Sequence, residues 1–148
     1  MVESVFNLKL IDFGISKKLN VNTNYVICNS VFGTPKYLAP EIIKNKRFSY
    51  QSDIYAIGIL LYEVLVGVAP FEDNDKYGLL KMHIKEKMIK PRLINNLVSK
   101  PIENIIKKAM AKNIKNRYKS IDELQKDFNL YFENKYNFFK LKNENSKK

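Results

Sequence analysis

The chain has 148 residues and an apolar fraction of 45%, which suits one globular domain and is short for two. Its net charge of +11 would suit a nucleic-acid, membrane or acidic partner. The basic residues are spread along the chain, however, so a compositional bias explains the charge better, and we expect no specific nucleic-acid partner. The lone cysteine, Cys28, excludes a disulfide within the chain and favours a cytoplasmic setting, and the lone histidine, His83, excludes a site of paired histidine ligands.

The front of the chain predicts little regular structure. Apolar residues alternate from Phe6 to Leu10, which predicts a short strand. The stretch from Ser16 to Phe32 is polar and without a period, so we expect a long loop. A short helical turn should begin at "APEII", because proline is tolerated in the first turn of a helix. The first ten residues lack a basic region followed by an apolar one, so no signal peptide is expected.

An apolar helix is predicted at the centre of the chain. Ser52 suits its N-cap, and Asp53 suits the positive end of its dipole. The helix is apolar on nearly every side from Ile54 to Val66, and Gly67 should end it. This run is interrupted by Glu63 and falls short of the roughly 20 residues of a membrane span. We therefore predict a helix that other parts of the protein cover, and no membrane segment.

Three more helices are predicted after it. The first covers Asp75 to Met88 and contains His83, which we interpret as structural. The second begins at Ser99, and the third begins at Ser120, which has the capping-box spacing with Glu123. Aromatic residues recur every four positions in the last helix, which favours core packing over stacking on nucleic-acid bases. The sequence is thus mainly α-helical, with a folded part at 1–135 and a basic, disordered tail at 136–148.

Four motifs stand in a specific order along the chain. They are "DFG" from Asp12 to Gly14, "GTPKYLAPE" ending at Glu41, "SDIYAIG" containing Asp53, and "AKNIKNRYKS" containing Arg117. Over residues 7 to 130 this order and spacing resemble the C-terminal lobe of a eukaryotic-type serine/threonine protein kinase, most closely the bacterial branch. The resemblance implies a mainly α protein-kinase-like C-lobe, from an α+β family, without the N-lobe and the catalytic loop.

The resemblance assigns the DFG segment to the nucleotide and its metal. Asp12 matches the carboxylate that binds Mg²⁺, a hard cation that prefers oxygen ligands. Ile11 would face the nucleotide pocket. Phe13 would pack against the upper lobe, and Gly14 lets the backbone turn sharply.

The resemblance also assigns the segment that follows. The loop from Ser16 to Phe32 matches the activation segment, in which Thr23 and Ser30 are possible phosphorylation sites. Solvated loop residues without a role explain those two hydroxyls equally well. Thr34 and Tyr37 match the groove that binds the protein substrate.

Three more residues match structural positions of the family. Glu41 and Arg117 match a buried ion pair. Asp53 matches a residue that accepts hydrogen bonds from the backbone of the catalytic loop. Since that loop is missing here, Asp53 could instead serve only as a helix-start residue.

The chain lacks other parts that phosphoryl transfer requires. The 148 residues contain no glycine-rich loop, no ATP-anchoring lysine with its glutamate, and no catalytic loop with its aspartate base. The complete enzyme would use ATP and Mg²⁺, but we expect this chain alone to bind neither and to transfer no phosphate. We also expect an exposed apolar face on the central helix, where the missing parts would pack.

Three hypotheses about function follow from the resemblance. We favour a C-lobe portion of a serine/threonine kinase, whose parent transfers the γ-phosphate of ATP to a protein substrate. The chain could instead be one half of a split kinase, with a complementary N-terminal half as its partner. A third possibility is a non-catalytic, pseudokinase-like binding module.

Overall fold

The computed structural model describes residues 9, 16, 18, 25–27 and 34–145, with side chains up to residue 135. Within these residues the chain forms two short strands and six α-helices. The strands are β1 (Val26–Ile27) and β2 (Arg47–Phe48). The helices are α1 (Pro40–Asn45), α2 (Tyr50–Val66), α3 (Lys76–Lys85), α4 (Pro91–Ile94), α5 (Lys100–Ala109) and α6 (Ile121–Asn145), with 3-10 turns at Pro35–Tyr37 and Ile114–Asn116. The mainly α prediction is confirmed.

The two strands pair antiparallel, with Val26 opposite Phe48 and Ile27 opposite Arg47. β1 therefore lies inside the stretch that the sequence predicts as a loop. The guanidinium of Arg47 also stacks over the ring of Tyr25, 4.7 Å from its centroid. The predicted strand at Phe6 to Leu10 lies outside the described residues, apart from Lys9.

Helix α2 begins three residues earlier than the sequence predicts. Its N-cap is Ser49, whose hydroxyl accepts a hydrogen bond from the Ser52 amide at 3.3 Å. The Ser49 amide donates in return to the Ser52 hydroxyl at 3.2 Å, which completes a capping box. The predicted N-cap, Ser52, is thus wrong, because Ser49 satisfies the free amides first. The predicted end at Gly67 is confirmed: its φ of 86° is the left-handed conformation that glycine adopts at a helix C-terminus.

The later helices begin where predicted. Asp75 caps α3, and its carboxylate accepts from the Gly78 amide at 2.9 Å, although α3 ends at Lys85 rather than Met88. Ser99 is the N-cap of α5, as predicted.

The start of α6 is capped less completely than predicted. The Ser120 hydroxyl accepts from the Glu123 amide at 3.2 Å, but the Glu123 carboxylate accepts from the Lys119 amide instead of that of Ser120. The predicted capping box is therefore only half formed.

Helix α6 continues through residues 136–145, where the sequence predicts a disordered tail. That prediction is wrong for these residues. The basic charge of this segment does not prevent a helix, because residues 136–145 contain neither Gly nor Pro to interrupt it.

The core surrounds α2, which packs against α5, α4 and the first 3-10 turn. Among the largest fully buried side chains are Arg117, Tyr55, Tyr62, Tyr118 and His83. In the part of the chain that the structure describes, no helix is both long and apolar enough to cross a membrane.

Candidate functional site

The structure brings Glu41 and Arg117 together, although 76 residues separate them in the chain. Glu41 lies in the first turn of α1, and Arg117 directly follows the second 3-10 turn. Arg117 Nη1 donates to Glu41 Oε1 at 2.8 Å, and Nη2 donates to Oε2 at 3.0 Å. This is a bidentate ion pair, and Arg117 is only 2% exposed.

Every N–H group of the Arg117 guanidinium has an acceptor. Besides Glu41, Nη1 donates to the Gln51 carbonyl at 2.6 Å, and Nε and Nη2 both donate to the Ala111 carbonyl at 3.2 and 3.0 Å. A guanidinium has five such donors, so none is left unsatisfied. The buried charge is therefore fully compensated by its surroundings.

Two side chains of α2 support this pair from outside it. The Ser52 hydroxyl donates to Glu41 Oε1 at 2.8 Å. Gln51 Nε2 donates to the carbonyls of Ile114 and Tyr118 at 3.0 and 2.9 Å, so it holds the backbone on both sides of Arg117. The first turn of α2 thus positions both halves of the pair.

The environment of Glu41 favours its ionised form. Burial alone would raise the pKa of this carboxyl, but the hydrogen bonds and charge of Arg117 outweigh burial and hold the pKa below its ordinary value. The Ser52 hydroxyl acts in the same direction. Glu41 is therefore a carboxylate in the folded protein.

The segment Thr34–Tyr37, here called the groove turn, contains both predicted groove residues. Thr34 is exposed, and its side chain makes no cap hydrogen bond. Lys36 forms an ion pair with Glu63 of α2. The same carboxylate raises the pKa of Tyr37 through a hydrogen bond to its hydroxyl. Glu63 therefore holds two neighbouring side chains of the turn.

Asp53 lies in the first turn of α2, on the same stripe of the helix as Leu60 and Val64. Within the described residues the Asp53 carboxylate accepts no hydrogen bond, and loss of solvent raises its pKa. Leu60 is 52% exposed and Val64 is 73% exposed. This stripe, here called the open face of α2, is apolar at Leu60 and Val64. It ends at Asp53, whose carboxylate has no hydrogen-bond donor among the described residues.

The remaining predicted site residues lie outside the described residues. These are Ile11, Asp12, Phe13, Gly14, Thr23 and Ser30. Among the residues that are described, no group of three or more His, Cys, Asp or Glu side chains could hold a metal ion. The predicted Mg²⁺ site therefore depends on Asp12 and stays a prediction.

Comparison with known proteins gives a match to the protein kinase domain over residues 1–129. The chain is 39% identical over 127 residues to a probable serine/threonine-protein kinase, PknB, of Lactococcus lactis. The aligned region covers 86% of this chain and 20% of that protein. It is 33% identical over 133 residues to the serine/threonine-protein kinase PrkC of Bacillus subtilis, covering 90% of this chain and 20% of that protein. The chain thus spans about a fifth of the length of the curated relatives that it matches.

Proposed function

Because the chain belongs to the protein kinase family, we propose that it forms the substrate-binding part of a C-terminal lobe in a serine/threonine kinase. In the complete enzyme this lobe would present the hydroxyl of a protein Ser or Thr to the γ-phosphate of ATP. The observation that carries the proposal is the groove turn, which Glu63 fixes to α2 through Lys36 and Tyr37. A cytoplasmic location fits the single cysteine.

The groove turn has the features of a peptide-binding edge. Thr34 is exposed, with an extended backbone at φ −72° and ψ 122°. The turn behind it is closed by hydrogen bonds from the Tyr37 amide to the Thr34 carbonyl at 3.1 Å and from the Leu38 amide to the Pro35 carbonyl at 3.3 Å. A rigid segment beside an open hydroxyl can receive an extended substrate without a large ordering cost.

Phosphoryl transfer needs ATP, Mg²⁺ and more residues than this sequence contains. Asp12 would bind the metal, which neutralises charge on the transferring phosphoryl group. An ATP-anchoring lysine and an aspartate base must come from residues outside this sequence, either in a longer form of the chain or in a complementary polypeptide.

The open face of α2 is the surface that such residues would cover. It offers the exposed side chains of Leu60 and Val64 together with Asp53, a carboxylate ready to accept backbone hydrogen bonds. An exposed apolar strip beside an exposed carboxylate suits a protein segment that covers the strip and donates hydrogen bonds to Asp53.

Reconstitution tests this proposal. The chain would be co-expressed with the segment of the Lactococcus lactis relative that precedes its matched region, and phosphate transfer from ATP to a Ser/Thr peptide would be measured. We expect transfer by the pair, none by the chain alone, and loss of transfer in Asp12→Asn. The matched variant Asp122→Asn, at an exposed position of α6, should keep activity. Transfer that survives Asp12→Asn would contradict the assigned metal ligand.

A non-catalytic binding module is the second candidate. It is favoured by one observation: the contacts that hold the groove turn and the Glu41–Arg117 pair all come from described residues of this chain. A reconstituted pair that binds peptide but transfers no phosphate would support this function instead.

A further inference from the structure

Lys112, which follows α5, places its ammonium among neutral groups. Its Nζ donates to the Met82 carbonyl of α3 at 3.1 Å and to the Tyr55 hydroxyl of α2 at 3.4 Å. The ammonium also lies 3.9 Å from the centroid of the Phe71 ring. These partners offer dipoles and an aromatic face to the cation, but none of them offers a negative charge.

The absence of a carboxylate partner distinguishes Lys112 from other cations of the protein. Within the described residues it forms no ion pair. A partly buried ammonium without a counter-charge is costly, because water solvates a charge better than protein dipoles do. The fold therefore favours a neutral group at this position. The cations that do have carboxylate partners form the pairs Arg117–Glu41, Lys108–Glu123 and Lys36–Glu63.

The main chain beside Lys112 is fixed, while its side chain remains accessible. The Ala111 carbonyl accepts from Nε and Nη2 of Arg117 at 3.2 and 3.0 Å, which holds the backbone just before Lys112. Lys112 itself is partly exposed, so a small reagent can approach it from solution.

A neutral amine at Lys112 fits the same contacts. Its two N–H groups match the Met82 carbonyl and the Tyr55 oxygen. The Tyr55 hydroxyl has His83 Nδ1 at 3.0 Å as a partner for its own proton, so it does not need the lone pair of the amine. That lone pair is left to react with an electrophile.

We propose that Lys112 is a site of lysine acylation, and that its reagent is a small acyl phosphate. The amine nitrogen attacks the acyl carbon, so that a C–N bond forms and the C–O bond to phosphate breaks. Phosphate leaves with the bonding electron pair, and the nitrogen gives one proton to water. The product is a neutral amide, whose remaining N–H still matches the Met82 carbonyl.

An acyl phosphate suits this site in size and in charge. A small reagent fits a partly buried amine, and the net charge of +11 attracts an anion to the chain. The proposal does not depend on the proposed function, because it involves neither ATP nor a protein substrate.

The titratable groups around Lys112 support its neutral form. Burial lowers the pKa of Lys112 to about 8, Glu86 at the end of α3 opposes burial, and Arg117 adds to it. Burial also lowers the pKa of His83 on α3 to about 4 and raises that of Tyr55 on α2, so both are uncharged at neutral pH.

Acetyl phosphate tests the proposal on the 148-residue chain, with Lys115 as an internal control. Lys115 is exposed and lies three residues further along. Mass spectrometry of peptides follows each lysine, and circular dichroism establishes that the chain is folded during the reaction. At pH 7.5 we expect Lys112 to be acetylated about tenfold faster than Lys115, because the fold favours its neutral amine. In urea the two lysines should react at similar rates.

The pH profile separates this reactivity from simple exposure. The rate at Lys112 should level off above about pH 8, whereas the rate at Lys115 should keep rising towards pH 10, as for an ordinary lysine amine. Equal rates in the folded chain would overturn the proposal. An excess at Lys112 that persists in urea would also overturn it, because the local sequence and not the fold would then be the cause. Reconstitution of kinase activity can fail without affecting any of these outcomes.

Discussion

The guanidinium of Arg117 and the carboxylate of Glu41 form two parallel hydrogen bonds, of 2.8 and 3.0 Å, inside the protein. They connect α1, which follows the groove turn, to the segment between α5 and α6. Ser52 and Gln51, in the first turn of α2, also contact Glu41 and Arg117 respectively. The pair therefore joins α1, α2 and the segment between α5 and α6 at one point.

Arg117→Ala should destabilise the protein by about 3–5 kcal/mol, since it leaves the Glu41 carboxylate buried without its partner. Total domain stability is only about 5–15 kcal/mol, so the variant should melt at a much lower temperature or fail to fold. Thermal melting followed by circular dichroism measures this. Arg92→Ala, at an exposed position of α4, is the matched control and should melt like the original protein. An unchanged melting temperature in Arg117→Ala would show that the pair contributes nothing.

Acid should weaken the protein through Glu41. Its pKa in the folded state lies below the ordinary value of 4.5, so the unfolded chain binds the proton first. The stabilisation is therefore complete above pH 4.5 and is lost as the pH falls through the folded pKa. Urea unfolding at several pH values should show this loss, and Glu41→Gln should show a smaller one. Glu133→Gln, on the exposed side of α6, should keep the original profile.

Gly58→Ala should destabilise the protein despite the higher helix propensity of alanine. A Cβ at this position of α2 would lie 2.8 Å from Met110 Cγ, 3.0 Å from Ala109 Cβ and 3.2 Å from the Met110 amide nitrogen. The backbone there cannot yield easily, so we expect a loss of about 1–3 kcal/mol.

The control for that substitution is Gly78→Ala in α3. The new methyl group there meets the carboxylate of the exposed Asp73, whose displacement costs only an exposed hydrogen bond from the Asp75 amide, of 2.8 Å. Equilibrium unfolding should therefore give a clear loss for Gly58→Ala and a smaller one for Gly78→Ala. Similar losses at both sites would mean that packing of α2 on α5 is less tight than the distances indicate.

Glu63→Gln should loosen the groove turn without unfolding the protein. The amide cannot hold the Lys36 ammonium as an ion pair, and Lys36 is partly exposed, so its contribution to stability is small. We expect faster hydrogen exchange at Tyr37 and Leu38 with an almost unchanged melting temperature. Glu133→Gln, at an exposed position of α6, should change neither quantity. A large drop in melting temperature would instead assign Glu63 to the core.

The sequence identified the Glu41–Arg117 contact only through the resemblance of two motifs, since nothing local links residues so far apart. In the sequence Glu63 only interrupts an apolar helix, whereas in the structure it holds the groove turn. A single charged residue in an otherwise apolar helix is the signal that could have indicated this role. Gln51 carries no comparable signal, because its two carbonyl acceptors come from a segment more than 60 residues later.

The remaining errors have local causes. The sequence analysis predicts only Ser52 as the N-cap of α2, whereas the backbone takes the extended conformation of an N-cap at Ser49, a serine three residues earlier. The surroundings of His83 could not be predicted either, because Tyr55 and Lys112 come from separate parts of the chain and meet only in the fold.

Lys112 should make the protein more stable in mild alkali. Burial lowers its pKa to about 8, whereas the unfolded chain keeps the ordinary value of 10.5, so the folded state gives up the proton first. The stabilisation is complete above pH 10.5 and is lost as the pH falls through about 8.

Several buried tyrosines act in the opposite direction above their ordinary pKa of 10.0, because burial raises the pKa of Tyr55 and Tyr62. The difference in unfolding free energy between the original protein and Lys112→Met isolates the lysine, because the tyrosines are the same in both. Between pH 8 and pH 10 the unfolding free energy of the original protein should rise relative to that of Lys112→Met. Lys115→Met, at a nearby exposed position, should show the same pH dependence as the original protein. A difference that stays constant over this range would mean that Lys112 is solvated and does not stack on Phe71.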